Sequence, residues 1–239
     1  MKLIIEKTEK EMSESALHIL LGAMMQDKRV NISLTAGKSP ETLYEMMIPL
    51  VKDRPQFKDV EYYLFDDAPY IDGGIGENHK EMNKLFFDKA HIDQSKVHCT
   101  TMENYLTYDK EIEQAGGLDV MLIGLGFDGH FCSNCPRCTP MDSYTYAMDR
   151  KIKNAVNPGY PEKPKQPITL TMGPKSLMKV KHLVMIVNGK HKAEILKKVL
   201  KSPITDELPA TVLKLHPNFT VICDSEAASL LENIEDLRL

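Results

Sequence analysis

The sequence predicts an α/β fold, a single doubly wound, Rossmann-like domain spanning residues 1–239 around a mostly parallel sheet. Three observations predict it. Short β-branched runs alternate with longer segments of helical period, the order of βαβ units. The run DVMLIGLG (119–126) is apolar at nearly every position, as a strand buried on both faces must be, and so belongs at the centre of the sheet. No repeat, heptad, linker or low-complexity segment divides the chain.

The elements follow in order. LIIEK (3–7) reads as the first strand. Thr8 with Glu11 three residues later is a capping box, and Met12, Ala16, Ile19, Leu20 and Ala23 continue at helical spacing. VNISLT (30–35) is a second strand, and Pro40 stands where proline starts a helix well, ahead of Leu43, Met46, Met47 and Leu50. EYYLFD (61–66) is a third strand, followed by a loop with Gly73, Gly74 and Gly76 and an amphipathic segment over 79–90. VHCT (97–100) and a helix over 102–115 precede the central run. Residues 131–167, rich in Pro, Cys and polar residues, read as an insertion or lid over the end of the sheet. ITLTM (168–172), HLVMIVNG (182–189) and FTVICD (219–224) read as strands, with helices at 174–180, 190–201 and 225–236.

Composition excludes several classes of function. Hydrophobic residues make up 42% and charged residues 27%, which suits an ordinary globular core and not a disordered chain. Thirty Lys and Arg stand against 34 Asp and Glu, so a net charge of −4 offers no broad attraction to nucleic acid or an anionic membrane. No run approaches the roughly 20 apolar residues needed to cross a bilayer. The opening MKLIIEKTEKEMSE lacks the apolar region of a secretory signal, and five cysteines, an odd number, suit reduced thiols; the expectation is a cytoplasmic protein without disulfides.

In open α/β sheets ligands sit outside the carboxyl ends of the strands, where loops converge and helix N-termini present their positive ends. Those ends carry TAGKSP after the second strand, FDDAPY after the third, GLGFDGHFCSNCP after the central one and NGKHK after the strand at 182–189. In this order and spacing they resemble the glucosamine-6-phosphate deaminase and 6-phosphogluconolactonase superfamily over nearly the whole chain. GLGFDGH (124–130) is similar to the family's G-x-G-x-D-G-H, and TAGKSPETLY (35–44), FDD (65–67), ITLT (168–171) and KLHPNFTVICD (214–224) support it. The last leans towards the deaminases.

The resemblance implies an enzyme acting on a small phosphorylated sugar, with no cofactor and with a homo-oligomer left open. Asp66 matches the carboxylate that moves a proton between C2 and C1 in the deaminases, a task suited to a group that takes and returns one proton in place. Asp128 and His130 match the pair that opens the sugar ring, the carboxylate orienting the imidazole. Ala36, Gly37 and Ser39 of the turn, with Lys192, match the phosphate-binding elements; Lys38 is a further candidate from its position alone.

The chain also departs from both branches. Cys135 stands where the deaminases carry a glutamate, and Pro167 where the lactonases carry an arginine. The resemblance therefore implies a divergent deaminase-like member acting on glucosamine- or galactosamine-6-phosphate, with lactone hydrolysis or non-catalytic sugar-phosphate binding as the alternatives. Cys132, Cys135 and Cys138 form C-x2-C-x2-C, a spacing that can hold zinc or an iron–sulfur cluster. Cys99 and Cys223 lie far off in predicted strands and supply no nearby fourth ligand, so the triplet is expected to hold no metal.

Overall fold

The computed structural model describes residues 1–70, 74–149 and 168–231. Its strands are β1 (Lys2–Glu6), β2 (Val30–Ser33), β3 (Val60–Tyr63), β4 (Asp66–Asp67), β5 (Val97–His98), β6 (Val120–Gly124), β7 (Tyr146–Asp149), β8 (Ile168–Thr171), β9 (Leu183–Val187) and β10 (Phe219–Asp224). The helices are α1 (Glu9–Met24), α2 (Glu41–Val51), α3 (Glu77–Met82), α4 (Tyr108–Gln114), α5 (Pro174–Met178) and α6 (Ala193–Lys201). None is long and apolar enough to cross a membrane.

Seven strands pair in parallel in the order β1-β10-β9-β6-β2-β3-β5, which puts β6 in the middle as its composition requires. Successive side chains of a strand point to opposite faces. Accordingly Val120 and Leu122 of β6 join one apolar core while Met121 and Ile123 join the other. β9 divides the same way, with Val184 and Ile186 on the first face and Leu183, Met185 and Val187 on the second. α1 covers the first face with Met12, Ala16, Leu17, Leu20 and Met24. Its N-terminus carries the expected capping box, the Thr8 hydroxyl accepting from the Glu11 N–H at 3.2 Å and the Glu11 carboxylate from the Thr8 N–H at 3.1 Å.

Several expectations change. ITLT is a strand, but it lies outside the main sheet: β8 pairs antiparallel with β4 and β7 in a separate three-stranded sheet. Residues 131–149, expected as the first part of an insertion or lid, are an insertion packed in place, with Phe131, Ser133, Asn134 and Cys135 buried and β7 of the small sheet at their end; 150–167 lie outside the described residues. The helix expected from 102 begins only at Tyr108; residues 102–107 are turns, over which Thr101 and Asn104 exchange side-chain-to-backbone bonds. The segment after Met82 widens into a π turn over Asn83–Phe87. Of the helix expected over 225–236, residues 225–230 are turns and 232–236 lie outside the described residues.

This topology fixes where a site can form. From β2 the chain runs outward through β3 to β5, then returns to place β6 on the other side of β2. The carboxyl ends of β2 and β6 therefore flank the point where the strand order reverses, the crevice that holds ligands in doubly wound sheets.

Candidate active site

Asp66 lies in β4, just past the carboxyl end of β3, and is 8% exposed. Two side chains hold its carboxylate from opposite sides. The Ser133 hydroxyl donates to Oδ2 and the Asn78 amide to Oδ1, both at 2.6 Å. Such a group is fixed in orientation but keeps lone pairs available for a proton. Ser133 is itself anchored, its N–H donating to the Thr171 hydroxyl of β8, so the small sheet ties Asp66 to the loop after β6.

That loop makes a tight turn, with the Gly126 N–H donating to the His130 carbonyl at 2.8 Å and the Gly129 N–H to the Gly126 carbonyl at 3.0 Å. The His130 ring lies so close over Gly126 that a Cβ there would stand 2.1 Å from Nδ1, so only glycine fits. His130 Nδ1 is 2.5 Å from Asp128 Oδ1, which also accepts the His130 backbone N–H at 3.1 Å. Burial alone would raise the Asp128 pKa, but the hydrogen bonds and charge of His130 outweigh it and hold the carboxyl below its ordinary value. An ionised Asp128 assigns the proton to Nδ1 and leaves Nε2 as the free acceptor.

The turn after β2 contains Ala36, Gly37, Lys38 and Ser39. Gly37 has φ of +95°, a conformation open to glycine, and the Tyr44 hydroxyl pins the turn by donating to the Thr35 carbonyl at 2.6 Å. No side chain caps the start of α2; the Glu41 N–H donates to the Lys38 carbonyl at 3.2 Å, and the N–H groups of Thr42 and Leu43 follow at the end where a helix attracts an anion. Ala36 and Ser39 are half-buried at the cleft, whereas Lys38 is exposed and, among the described residues, forms no ion pair. Lys192 stands beyond β9, and its ammonium donates to the Leu125 carbonyl at 2.7 Å and lies 5.8 Å from the centre of the Phe127 ring. Burial lowers its pKa and the nearby Asp128 opposes that shift. β9 and β2 are separated by β6 alone, and Lys192 already carries its charge over the end of β6.

The model of the glucosamine-6-phosphate isomerases/6-phosphogluconolactonase family matches residues 5–222. The chain belongs to that family. It is 32% identical to the glucosamine-6-phosphate deaminase of Shouchella clausii over 96% of this chain and 97% of that protein. It is 33% identical to the glucosamine-6-phosphate deaminase of Thermoanaerobacter pseudethanolicus over 100% and 98%. Among solved structures, a monomeric glucosamine-6-phosphate deaminase superposes with a TM-score of 0.82 at 27% identity, covering 96% of this chain and 100% of the other. The 6-phosphogluconolactonase of Trypanosoma brucei shares the fold, with a TM-score of 0.71 at 17% identity over 97% and 98%.

Within this family framework the structure brings Asp66, Asp128 and His130 to one end of the sheet, linked through Ser133, and sets Lys192 beside Asp128. It shows no contact between Lys192 and the 36–39 turn, and Lys38 faces outward. Three neighbours were not legible in the sequence: Asn78 and Ser133, which hold Asp66, and Glu81, whose carboxylate accepts the Gly37 N–H at 3.1 Å. Burial and the neighbouring Asp66 raise the Glu81 pKa although Gly37 opposes them. Cys135 is 1% exposed, with its sulfur 3.5 Å from the Ser133 carbonyl, so no carboxylate completes a relay at that position. Cys132, Cys135 and Cys138 do not bring their sulfurs together as a ligand set; among the described residues the only triad that does is Asp67, His79 and Cys99.

Proposed function

We propose that the protein is an amino sugar phosphate isomerase and deaminase, converting glucosamine- or galactosamine-6-phosphate to a ketose 6-phosphate and ammonia. The observation that carries this reading is the buried Asp66 carboxylate, held by Asn78 and by Ser133, the latter on the same loop as the Asp128–His130 pair. A lactone hydrolase needs an imidazole to activate water but no fixed carboxylate to carry a proton between two carbons. The named deaminase relatives support the same choice.

In this reading His130, with its Nδ1 proton directed at Asp128, uses Nε2 to move the proton that opens the sugar ring. Asp66 removes the proton from C2 of the open-chain amino sugar and delivers it to C1. The resulting C2 imine takes up water and releases ammonia, leaving the ketose. The 6-phosphate is held by the 36–39 turn and the start of α2 on one side and by Lys192 on the other. Binding energy from this non-reacting end orients C1 and C2. Lys38 contributes at most to the approach of the anion.

One observation favours a second reading, lactone hydrolysis: the buried thiol of Cys135 in place of a third carboxylate. Ammonia release from amino sugar 6-phosphates and hydrolysis of 6-phosphogluconolactone, measured on the same preparation, separate the two. The proposal expects the first to exceed the second in kcat/KM, and the reverse order overturns it.

A further inference from the structure

Beside Asp66 lies a set of groups that the proposed reaction does not use. Asp67 is 2% exposed; its Oδ1 accepts the backbone N–H groups of Ala68 and Asn78 at 2.7 and 2.9 Å, its carboxylate is also bonded by the backbone N–H of His79, and no cation acts on it among the described residues. His79 on α3 is 5% exposed and bonds through Nε2 to Gln94 Oε1 at 3.3 Å. The Gln94 amide nitrogen donates to Asn83 Oδ1 at 3.2 Å, so its oxygen is the atom presented to His79 and the imidazole proton sits on Nε2. Nδ1 thus keeps an unshared pair, and it is buried with no partner. Cys99, directly after β5, is half-buried, and burial pushes its thiol pKa up to about 11. One ligand atom from each of the three residues lies within 4.8 Å of the other two.

We infer that Asp67, His79 and Cys99 form a binding site for a divalent cation of the zinc class. A buried carboxylate without a cation, a buried imidazole nitrogen without a donor and a neighbouring thiol are each unfavourable alone, and one ion satisfies all three. Carboxylate oxygen, imidazole nitrogen and thiolate sulfur are the donors zinc takes, and the sulfur disfavours magnesium or calcium. Charge also balances, since an ionised Asp67 and a Cys99 thiolate together offset the two positive charges of the ion, the thiol proton leaving to solvent. The Gln94 contact on Nε2 supplies the outer partner that metal-bound histidines use to fix their ring. Bonds of about 2.0–2.3 Å put ligand atoms some 3.3–3.7 Å apart, within the 4.8 Å that bounds their present separations. The site is separate from the cysteine triplet and adjoins Asp66, with which it shares Asn78, but it uses none of the proposed catalytic side chains and stands whether or not the proposed reaction is correct.

The test uses the full-length protein freed of metal by chelation and titrated with cobalt(II), whose bond to a thiolate gives a charge-transfer band in the near ultraviolet. One equivalent should bind with that band, zinc(II) should displace it, and the thermal midpoint should rise with zinc. Cys99→Ser should abolish the band, His79→Gln should weaken binding at least ~10-fold, and Cys135→Ser should change neither. Failure to bind one equivalent, a band that survives Cys99→Ser, or a band lost in Cys135→Ser overturns the inference. If His79→Gln does not fold, the pair Cys99→Ser and Cys135→Ser decides alone.

Discussion

Ser133→Ala removes one of the two side-chain bonds that orient the proposed proton carrier. The serine is fully buried, Asp66 is 8% exposed, and the 2.6 Å separation lies in the range of a charge-assisted O–H···O⁻ bond. A hydrogen bond to a charged group contributes about 1.5–3 kcal/mol. At about 1.4 kcal/mol per factor of ten, its loss lowers catalysis by roughly 10–150-fold. Because Ser133 touches the carboxylate, the loss falls on kcat with KM nearly unchanged. The assay is steady-state ammonia release, with a denaturant midpoint measured on the same protein to separate folding from catalysis. In an Asp66→Asn background the same substitution should cost far less, since its partner has already been altered. An unchanged kcat, a rise confined to KM, or an equal loss in both backgrounds refutes the reasoning.

Three further outcomes follow from the geometry. Lys192→Ala removes one charged contact and should lower kcat/KM by ~10–100-fold on a 6-phosphate while changing little on the unphosphorylated sugar, with inorganic phosphate competing in the unaltered protein; equal loss on both sugars removes Lys192 from the phosphate site. Gly126→Ala places a Cβ 2.1 Å from His130 Nδ1, so the ring must swing from Asp128, and kcat should fall by about 10²-fold or more with the fold retained by circular dichroism. Asp67 titrates at about 6 in the folded protein against a reference of 3.8, burial being the main cause. Its folded state holds the proton more tightly, so the stability it confers is present in full below pH 3.8 and is lost as pH rises through 6, by about 3 kcal/mol. In metal-free protein Asp67→Asn should therefore match the parent near pH 4 and be more stable by up to about 3 kcal/mol at pH 8, as read from urea midpoints; a variant less stable at pH 8 contradicts this.

Much of the fold is written in the sequence because its signals are local. β6 and β9 are apolar at consecutive positions since each feeds two cores, and the Thr8–Glu11 box states where α1 begins. The small sheet was not legible. β4 has two residues, and β8 carries a strand pattern that says nothing about which sheet it joins. The site divides in the same way. Asp66, Asp128, His130 and Lys192 stand in segments whose spacing resembles a family, whereas Asn78 and Ser133 reach Asp66 from 12 and 67 residues away, contacts that exist only once the chain is folded. Glu81 meets Gly37 across 44 residues for the same reason.

The most direct test of the central claim is ammonia release from glucosamine-6-phosphate and galactosamine-6-phosphate by the unaltered protein beside Asp66→Asn. The account predicts turnover of at least one epimer, reduced by ~10²–10⁴ in Asp66→Asn while the substrate still binds. Equal turnover by the two proteins, or release of ammonia from neither sugar, contradicts it.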